Sequence, residues 1–268
     1  VMNEYLQLVR LHQARKRFGQ NFLVDYPLII KLFQSIHAQP NDRMIEIGPG
    51  LGALTRPILA NIKELTVIEL DRDLIPILSS LENLTIVHQD VLKVDFHALK
   101  IDDRKLRIVG NLPYNISTPI IFHLLAVADI IKDMHFMLQK EVIDRMAATP
   151  DDSEYGRLSV MVQRYCQVIP LLTIPPTAFN PAPKVMSQFV RLVPYETDPY
   201  GIESDETFFE VVKCAFSMKR KTLRNTLKPL FNQEELEACG IDSSLRAEKL
   251  SIAEFATLAN QLFAKRQS

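Results

Sequence analysis

Runs of β-branched and aliphatic residues recur along the chain at 43–47, 65–70, 84–89, 106–110 and 134–138, and again at 167–172 and 188–193. Between them the apolar positions move to a helical spacing, at 27–36, 54–60, 74–81, 119–128, 140–148 and 158–165. Short continuous apolar runs read as buried strands, and apolar positions at i, i+3 and i+4 read as amphipathic helices. Their alternation predicts an α/β domain with a doubly wound, mainly parallel sheet. Right-handed crossovers in such a sheet put the ligand crevice at the carboxyl ends of the strands.

The alternation stops near Pro194, and the stretch from Pro194 to Gly201 (PYETDPYG) is rich in turn formers and reads as a linker. Only helical spacing follows. Phe208, Phe209, Val212, Ala215 and Phe216 form one stripe, Leu223, Leu227, Leu230 and Phe231 a second, and Ile252, Phe255, Leu258, Ala259 and Leu262 a third. The chain is therefore expected to divide into an α/β domain at 1–197 and a small all-helical domain at 198–268.

Composition changes this picture little. Of 268 residues, 47% are hydrophobic and 24% charged, and the net charge is -1, so the sum of charges points to no polyanionic partner. No run reaches the ~18 apolar residues of a membrane span. The first twenty residues lack the apolar core of a secretory signal, so a cytoplasmic location is expected. Cys166, Cys214 and Cys239 are far apart, without a CxxC pair or zinc spacing, and read as idle thiols. His88 and His135 fall inside strand runs and read as packing residues, so no metal is expected. No apolar interface stripe is evident, and a monomer is expected. Locally, 10–17 and 217–228 are basic.

The chemistry begins at Met44-Ile-Glu-Ile-Gly-Pro-Gly-Leu-Gly52, where Gly48, Gly50 and Gly52 are spaced G-x-G-x-G between a strand and a helix. Glycines there allow positive φ and close approach of a ligand to the backbone. Dinucleotide folds also use glycine loops, and a purely structural strand-to-helix turn is the bland alternative. Three details favour S-adenosylmethionine. Glu46 precedes the first glycine, where a pyrophosphate would disfavour a carboxylate; the third glycine comes two residues after the second, not three; and Glu69 ends the next strand in VIEL. A carboxylate at that strand tip accepts hydrogen bonds from two ribose hydroxyls. Asp90, after the third strand, suits the exocyclic amine of the cofactor's adenine, with a helix cap or turn residue as the alternative.

After the fourth strand comes Asn111-Leu-Pro-Tyr114. The N6 lone pair of adenine is delocalised into the ring and is a poor nucleophile. The Asn111 side-chain oxygen and the Leu112 carbonyl form an acceptor pair for both N6 hydrogens, which pulls the nitrogen toward tetrahedral geometry. Pro113 stiffens the turn and Tyr114 stacks on the base. Positioning and hydrogen bonds aimed at developing charge then lower the barrier. Ser117 or Thr118 is expected to cap the next helix. A base reaching such a site must leave its stack, and Phe179, in a proline-rich stretch that reads as an exposed loop, is the candidate for its second face. A core position is the alternative for Phe179.

The segments ARKRFGQNFL, EIGPGLG, NLPYNIST, MLQKEVIDRM followed by YGRLSVM, FNPAPKV and FSMKRKTLRN together resemble the KsgA-type small-subunit ribosomal RNA adenine dimethyltransferases, from about Ala14 to Leu262. The resemblance implies a class I, Rossmann-like methyltransferase domain with an antiparallel last strand, and a helical C-terminal domain. It implies S-adenosylmethionine-dependent N6,N6-dimethylation of two adjacent adenosines near the 3′ end of small-subunit (16S) ribosomal RNA, with the small ribosomal subunit as partner. Carried over, Asn21 and Leu23 touch the cofactor, Gly48 with Gly50 of the same loop lies at its methionine and ribose side, Glu69 holds the ribose and Asp90 the adenine. Asn111 holds cofactor and target amine together, and Tyr114 and Phe179 sandwich the base. Met186 departs from the pattern, standing where the family carries an acid.

Lys219, Arg220, Lys221, Arg224 and Lys228 fall in twelve residues without an acid, 217–228. With Leu223, Leu227 and Leu230 on one helical face, these charges point outward and suit an RNA backbone. Arg15, Lys16 and Arg17 add to this surface, and a solvated helix face is the bland alternative. Two other functions share the motifs. One is a macrolide-resistance-type methyltransferase of large-subunit RNA; the other is a non-catalytic ribosome-assembly or transcription factor on the same fold.

Overall fold

A computed structural model describes residues 2–12 and 20–268. The chain forms two compact units, one of residues 1–143 with 169–194 and the other of 144–168 with 195–268. The single boundary drawn from the sequence after residue 197 is thus joined by two earlier crossings.

The first unit contains α1 (Met2–Leu11), β1 (Phe22–Leu23), α2 (Tyr26–Ile36), β2 (Arg43–Ile47), α3 (Thr55–Leu59), β3 (Leu65–Ile68), α4 (Ile75–Leu78) and β4 (Leu84–Val87). Next come α5 (Phe96–Leu99), β5 (Leu106–Asn111), α6 (Ser117–Leu125), β6 (Ile131–Gln139) and the start of α7 (Lys140–Ala147). The chain returns with β7 (Cys166–Ile174), β8 (Phe179–Asn180) and β9 (Ser187–Pro194). Seven strands make one sheet in the order β4-β3-β2-β5-β6-β9-β7. From β4 to β6 they run parallel, and β9 is antiparallel to β6. Every residue of β2 and β3 is buried, as expected for parallel strands covered on both faces.

From β2 the chain winds outward through β3 and β4, then crosses back to β5 on the other side. The reversal opens a crevice between the carboxyl ends of β2 and β5. Expected strands at 65–70 and 84–89 stop at Ile68 and Val87, so Glu69 and Asp90 sit on loops at that end. His88 accordingly lies beyond its strand and is exposed, whereas His135 is buried in β6.

Neither α1 nor the small antiparallel pair β1–β8, which joins Phe22 to Asn180 and Leu23 to Phe179, was expected from the apolar pattern. Tyr5 and Val9 of α1 are buried, and the Tyr5 hydroxyl donates to the Leu23 carbonyl at 2.5 Å.

The second unit is helical. It holds α8 (Arg157–Tyr165), α9 (Asp205–Ala215), α10 (Leu223–Thr226), α11 (Gln233–Ala238) and α12 (Ile252–Gln267). Ser204, Asn232 and Ser251 cap α9, α11 and α12 by accepting from backbone N–H groups in the first turn. Helix α8 packs on α9 and α12, and Arg164 pairs with Asp198 at 3.2 Å and Asp205 at 2.8 Å.

Candidate active site

The glycine loop leaves β2 with Gly48 at φ +64°, Gly50 at +59° and Gly52 at +97°. These are left-handed conformations that residues bearing a Cβ avoid. A Cβ on Gly48 would stand 3.3 Å from the Asn111 carbonyl oxygen, and one on Gly50 3.2 Å from the Phe22 ring. The loop, the turn after β5 and the Asn21–Phe22 segment are therefore packed to contact. Gly110, absent from the sequence expectations, is more constrained still: a Cβ there would lie 2.5 Å from the Ile47 carbonyl oxygen.

Around this junction is a cavity of about 310 Å³. It brings together Asn21, Gly48, Gly50, Glu69, Asp90, Asn111, Leu112, Pro113 and Tyr114. Gln20, Phe22, Gln89 and Asn115 also line it, with apolar walls from Ile47, Ile68, Val91, Leu92, Ile116 and Ile120. Gln20 is tied into the site through Nε2, which donates to Asp71 Oδ2 at 3.0 Å.

Glu69 is 8% exposed. Burial pushes its carboxyl up to about 7, against the lowering effect of backbone N–H donors from Asp71, at 3.0 Å, and Gly50. Glu46 is more deeply enclosed. Burial raises it to about 8, opposed by the Thr55 hydroxyl, which donates to it at 2.5 Å. Glu46 faces a separate small cavity of about 30 Å³ shared with Tyr5, Leu23 and Gly48. The Asp90 carboxylate caps the turn Val91–Lys93 through the Leu92 N–H at 3.0 Å, the alternative given for it above, and the residue also lines the main cavity.

Asn111 Nδ2 donates to the Asn21 carbonyl at 3.1 Å. This fixes the amide so that Oδ1 is its remaining acceptor. The Leu112 N–H is held by the Met137 carbonyl at 3.3 Å, and the Ile116 N–H closes a turn on the Pro113 carbonyl at 3.3 Å. Tyr114 is partly buried, and its phenol shares a hydrogen bond with the Ser187 hydroxyl. Burial raises the phenol pKa, with Ser187 opposing. The following helix starts at Ser117 without a side-chain cap; Ser117 Oγ instead donates back to the Tyr114 carbonyl at 3.4 Å.

Two expected residues lie elsewhere. Leu23 is 2% exposed and borders the small cavity, not the main one. Phe179, expected on an exposed loop, is 4% exposed within the apolar core, because β8 pairs with β1 and turns the ring inward; the exposed stretch begins only at Asn180. Arg15, Lys16 and Arg17 fall outside the described residues. In the second unit Lys219, Arg220, Lys221, Arg224 and Lys228 are all exposed, while Leu223 and Leu227 are buried. Among the described residues no His, Cys, Asp and Glu cluster could hold a metal, and no helix is long and apolar enough to cross a membrane.

The site's features match a nucleoside carrying a polar tail. Its apolar walls suit a purine, Glu69 and Asp90 present acceptors at strand tips, and Gly48 and Gly50 bring backbone without a side chain to the cavity wall.

A family model described as ribosomal RNA adenine dimethylase matches residues 11–264. Over 258 residues the chain is 55% identical to the ribosomal RNA small subunit methyltransferase A of Pseudomonas syringae pv. syringae (strain B728a), covering 95% of this chain and 96% of that one. Among solved structures, a dimethyladenosine transferase from Plasmodium falciparum matches with a TM-score of 0.79 at 25% identity, over 91% of this chain and 98% of that one. The 23S rRNA methyltransferase ErmE matches with a TM-score of 0.68 at 23% identity, over 91% of this chain and 100% of that one, a likeness of fold alone.

Proposed function

The chain belongs to the ribosomal RNA adenine dimethylase family, and on that premise we propose that it transfers methyl groups from S-adenosylmethionine to the N6 amines of two adjacent adenosines near the 3′ end of small-subunit ribosomal RNA. The observation that carries the reading is one cavity, at the reversal of strand order, holding both the strand-tip acids and the Asn111–Tyr114 turn. S-adenosylmethionine supplies an electrophilic methyl on a sulfonium, which departs as a neutral thioether when nitrogen attacks.

The residues divide the remaining work. Glu69 accepts from the ribose hydroxyls, Asp90 faces the adenine end, and Asn21, Gly48 and Gly50 shape the methionine and ribose side. Asn111 Oδ1 and the Leu112 carbonyl take the two N6 hydrogens of the target and turn its lone pair toward the methyl. Pro113 holds the turn and Tyr114 lies against the base. This reading requires no general base, because the N6 proton leaves to solvent once the nitrogen carries positive charge. With Phe179 in the core, Tyr114 and Phe22 are, among the described residues, the aromatic rings lining the cavity.

In the same reading the α/β part, through residue 197, carries the chemistry. The exposed Lys219, Arg220, Lys221 and Arg224, aided by Arg15, Lys16 and Arg17, track the RNA backbone, and the protein acts as a cytoplasmic monomer in small-subunit biogenesis. The 55% identity to a small-subunit enzyme favours that target over large-subunit RNA.

The test is labelled methyl transfer to unmethylated small subunits, large subunits and free RNA, with the Asn111→Ala protein alongside. Small subunits should take up label as dimethyladenosine, and Asn111→Ala should lose about 10²–10³-fold in rate. Label confined to large-subunit RNA would overturn the target, and equal labelling by both proteins would remove Asn111 from the amine site.

A further inference from the structure

We infer that Ser187 is a positioning residue of the amine site: through its hydrogen bond to the Tyr114 phenol it fixes the ring against which the target base lies, and it matters most for the second methyl transfer. The inference rests on the proposed function and adds to it a residue that neither sequence motif contains.

Tyr114 follows β5 in a turn, outside any helix or strand. No ladder holds it, and its aromatic side chain can rotate unless something grips the far end. Ser187 grips it from a rigid place. Its backbone opens β9, paired antiparallel to Gln139 of β6, and the preceding carbonyl, of Met186, accepts from the Lys140 N–H at 2.9 Å. The Ser187 side chain is completely buried, in a strand whose other inward positions, Phe189, Val190 and Leu192, are apolar. A buried hydroxyl is costly unless partnered, and the partner here is the ring of the amine site. Asn111 is steadied separately, by the Asn21 carbonyl. The two groups that handle the base thus have independent anchors, one reached from the segment before β1 and one from β9.

The chemistry makes these anchors unequal in the two transfers. Unmodified adenine offers two N6 hydrogens to the Asn111 and Leu112 acceptors. After one methyl has been added, a single hydrogen remains, and the base is held by one hydrogen bond and by stacking. Ring placement then carries a greater share of the alignment. A loosened Tyr114 should stall the reaction at monomethyladenosine more than it slows the first transfer.

The experiment measures monomethyl- and dimethyladenosine by mass spectrometry after reaction with unmethylated small subunits, for wild type, Ser187→Ala, Ser187→Thr, Tyr114→Phe and the Ser187→Ala/Tyr114→Phe double variant. Loss of one hydrogen bond predicts a mono-to-dimethyl ratio raised about five-fold in Ser187→Ala and in Tyr114→Phe. The double variant should go no further than either, because both remove the same bond, and Ser187→Thr should restore the ratio. A readout free of RNA and methyl donor accompanies this. The ¹³Cζ resonance of Tyr114, assigned by its loss in Tyr114→Phe, should move in Ser187→Ala and return in Ser187→Thr.

A wild-type ratio in Ser187→Ala, or an additive effect in the double variant, overturns the role of Ser187 while the proposed function stands. Absence of dimethyladenosine from the wild-type reaction overturns both. Should Ser187→Ala fail to fold, Tyr114→Phe removes the same bond from the other side, and an unchanged ratio there is equally fatal.

Discussion

Replacing Gly110 with alanine puts a methyl group where the sheet has no room for one. The added Cβ would lie 2.5 Å from the Ile47 carbonyl oxygen and 3.3 Å from both the Ile47 Cβ and a Leu112 methyl. The first obstacle is main chain, held in register by β3 on one side and β5 on the other, and it cannot swing aside as a side-chain end would. Reaching even the 3.0 Å that real Cβ atoms keep means parting β2 and β5 by about 0.5 Å at this point. Ile47 immediately precedes Gly48, and Gly110 immediately precedes Asn111, so the displacement passes directly into the spacing between the glycine loop and the Asn111–Tyr114 turn. Overpacking of this kind costs about 1–3 kcal/mol, which lowers Tm by roughly 3–10 °C in a chain of this size and leaves the protein folded at 25 °C. A misplacement of reacting groups by about 1 Å costs on the order of 10²-fold in rate, so a shift of about 0.5 Å should cost on the order of 10-fold. Catalysis should therefore fall in a protein that is still folded. Thermal unfolding and methyl-transfer kinetics, measured together, decide it. The control is Gly156→Ala, where an added Cβ meets nothing within 4 Å. A lowered Tm with activity within three-fold of wild type would refute the coupling of this strand contact to the site.

Other outcomes follow from the same structure. Burial holds the Glu69 carboxyl at about 7, so it is mostly protonated at pH 6 and ionised at pH 8. If the carboxylate is the ribose acceptor, calorimetry should show cofactor binding about ten-fold tighter at pH 8, and Glu69→Gln should flatten that dependence. His135 is pushed down to about 4 by burial first, and by Arg191 and Arg107, with Asp133 opposing. Its Nε2 accepts from Arg191 Nε at 3.0 Å. A depressed histidine gives stability that is complete above its unfolded value of about 6.5 and is lost as pH falls through 4. Urea unfolding should register a loss of about 3 kcal/mol over that window, which His135→Phe should remove; an equal slope in the variant counts against the assignment. Changing Lys219, Arg220 and Lys221 together to alanine should weaken RNA binding and lower the slope of log K against log salt by about 2–3, and an unaltered slope would take this patch out of the RNA footprint.

What was legible in the sequence was what is local. The apolar runs of β2, β3 and β5 and the helical spacing of α2, α7 and α8 are written in consecutive residues, and β2 and β3 end where glycine or acid begins. The glycine loop and the Asn111–Tyr114 turn were readable for the same reason, since a strand followed at once by such residues puts them at the sheet's carboxyl edge. Contacts between distant segments left no such trace. Phe179 reads as a loop residue beside its prolines, and only pairing with Leu23 turns it inward. Strands of two residues have no periodicity to detect. Ser187 and Tyr114 lie 73 positions apart, and nothing in either neighbourhood announces the other. Gly110 looked like an ordinary strand residue because its constraint comes from the neighbouring strand. Asp90 showed a further limit: cap and cofactor ligand were weighed as rivals, although one carboxylate has lone pairs for both.

The interrupted course of the chain between its two compact units has a consequence during synthesis. Helix α8 is made before β9, yet the helices it packs on, α9 and α12, begin only at Asp205 and Ile252. At ribosomal speeds α8, whose Val160, Met161 and Val162 are all buried in the finished fold, waits on the order of 10 s for α12 to emerge. The sheet meanwhile can close as soon as Pro194 is available. A gene fragment ending there would encode every strand of the seven-stranded sheet together with one helix short of its partners, so the sheet unit cannot be lifted out by a single cut. It needs either its C-terminal partners or a polar rewrite of the α8 face.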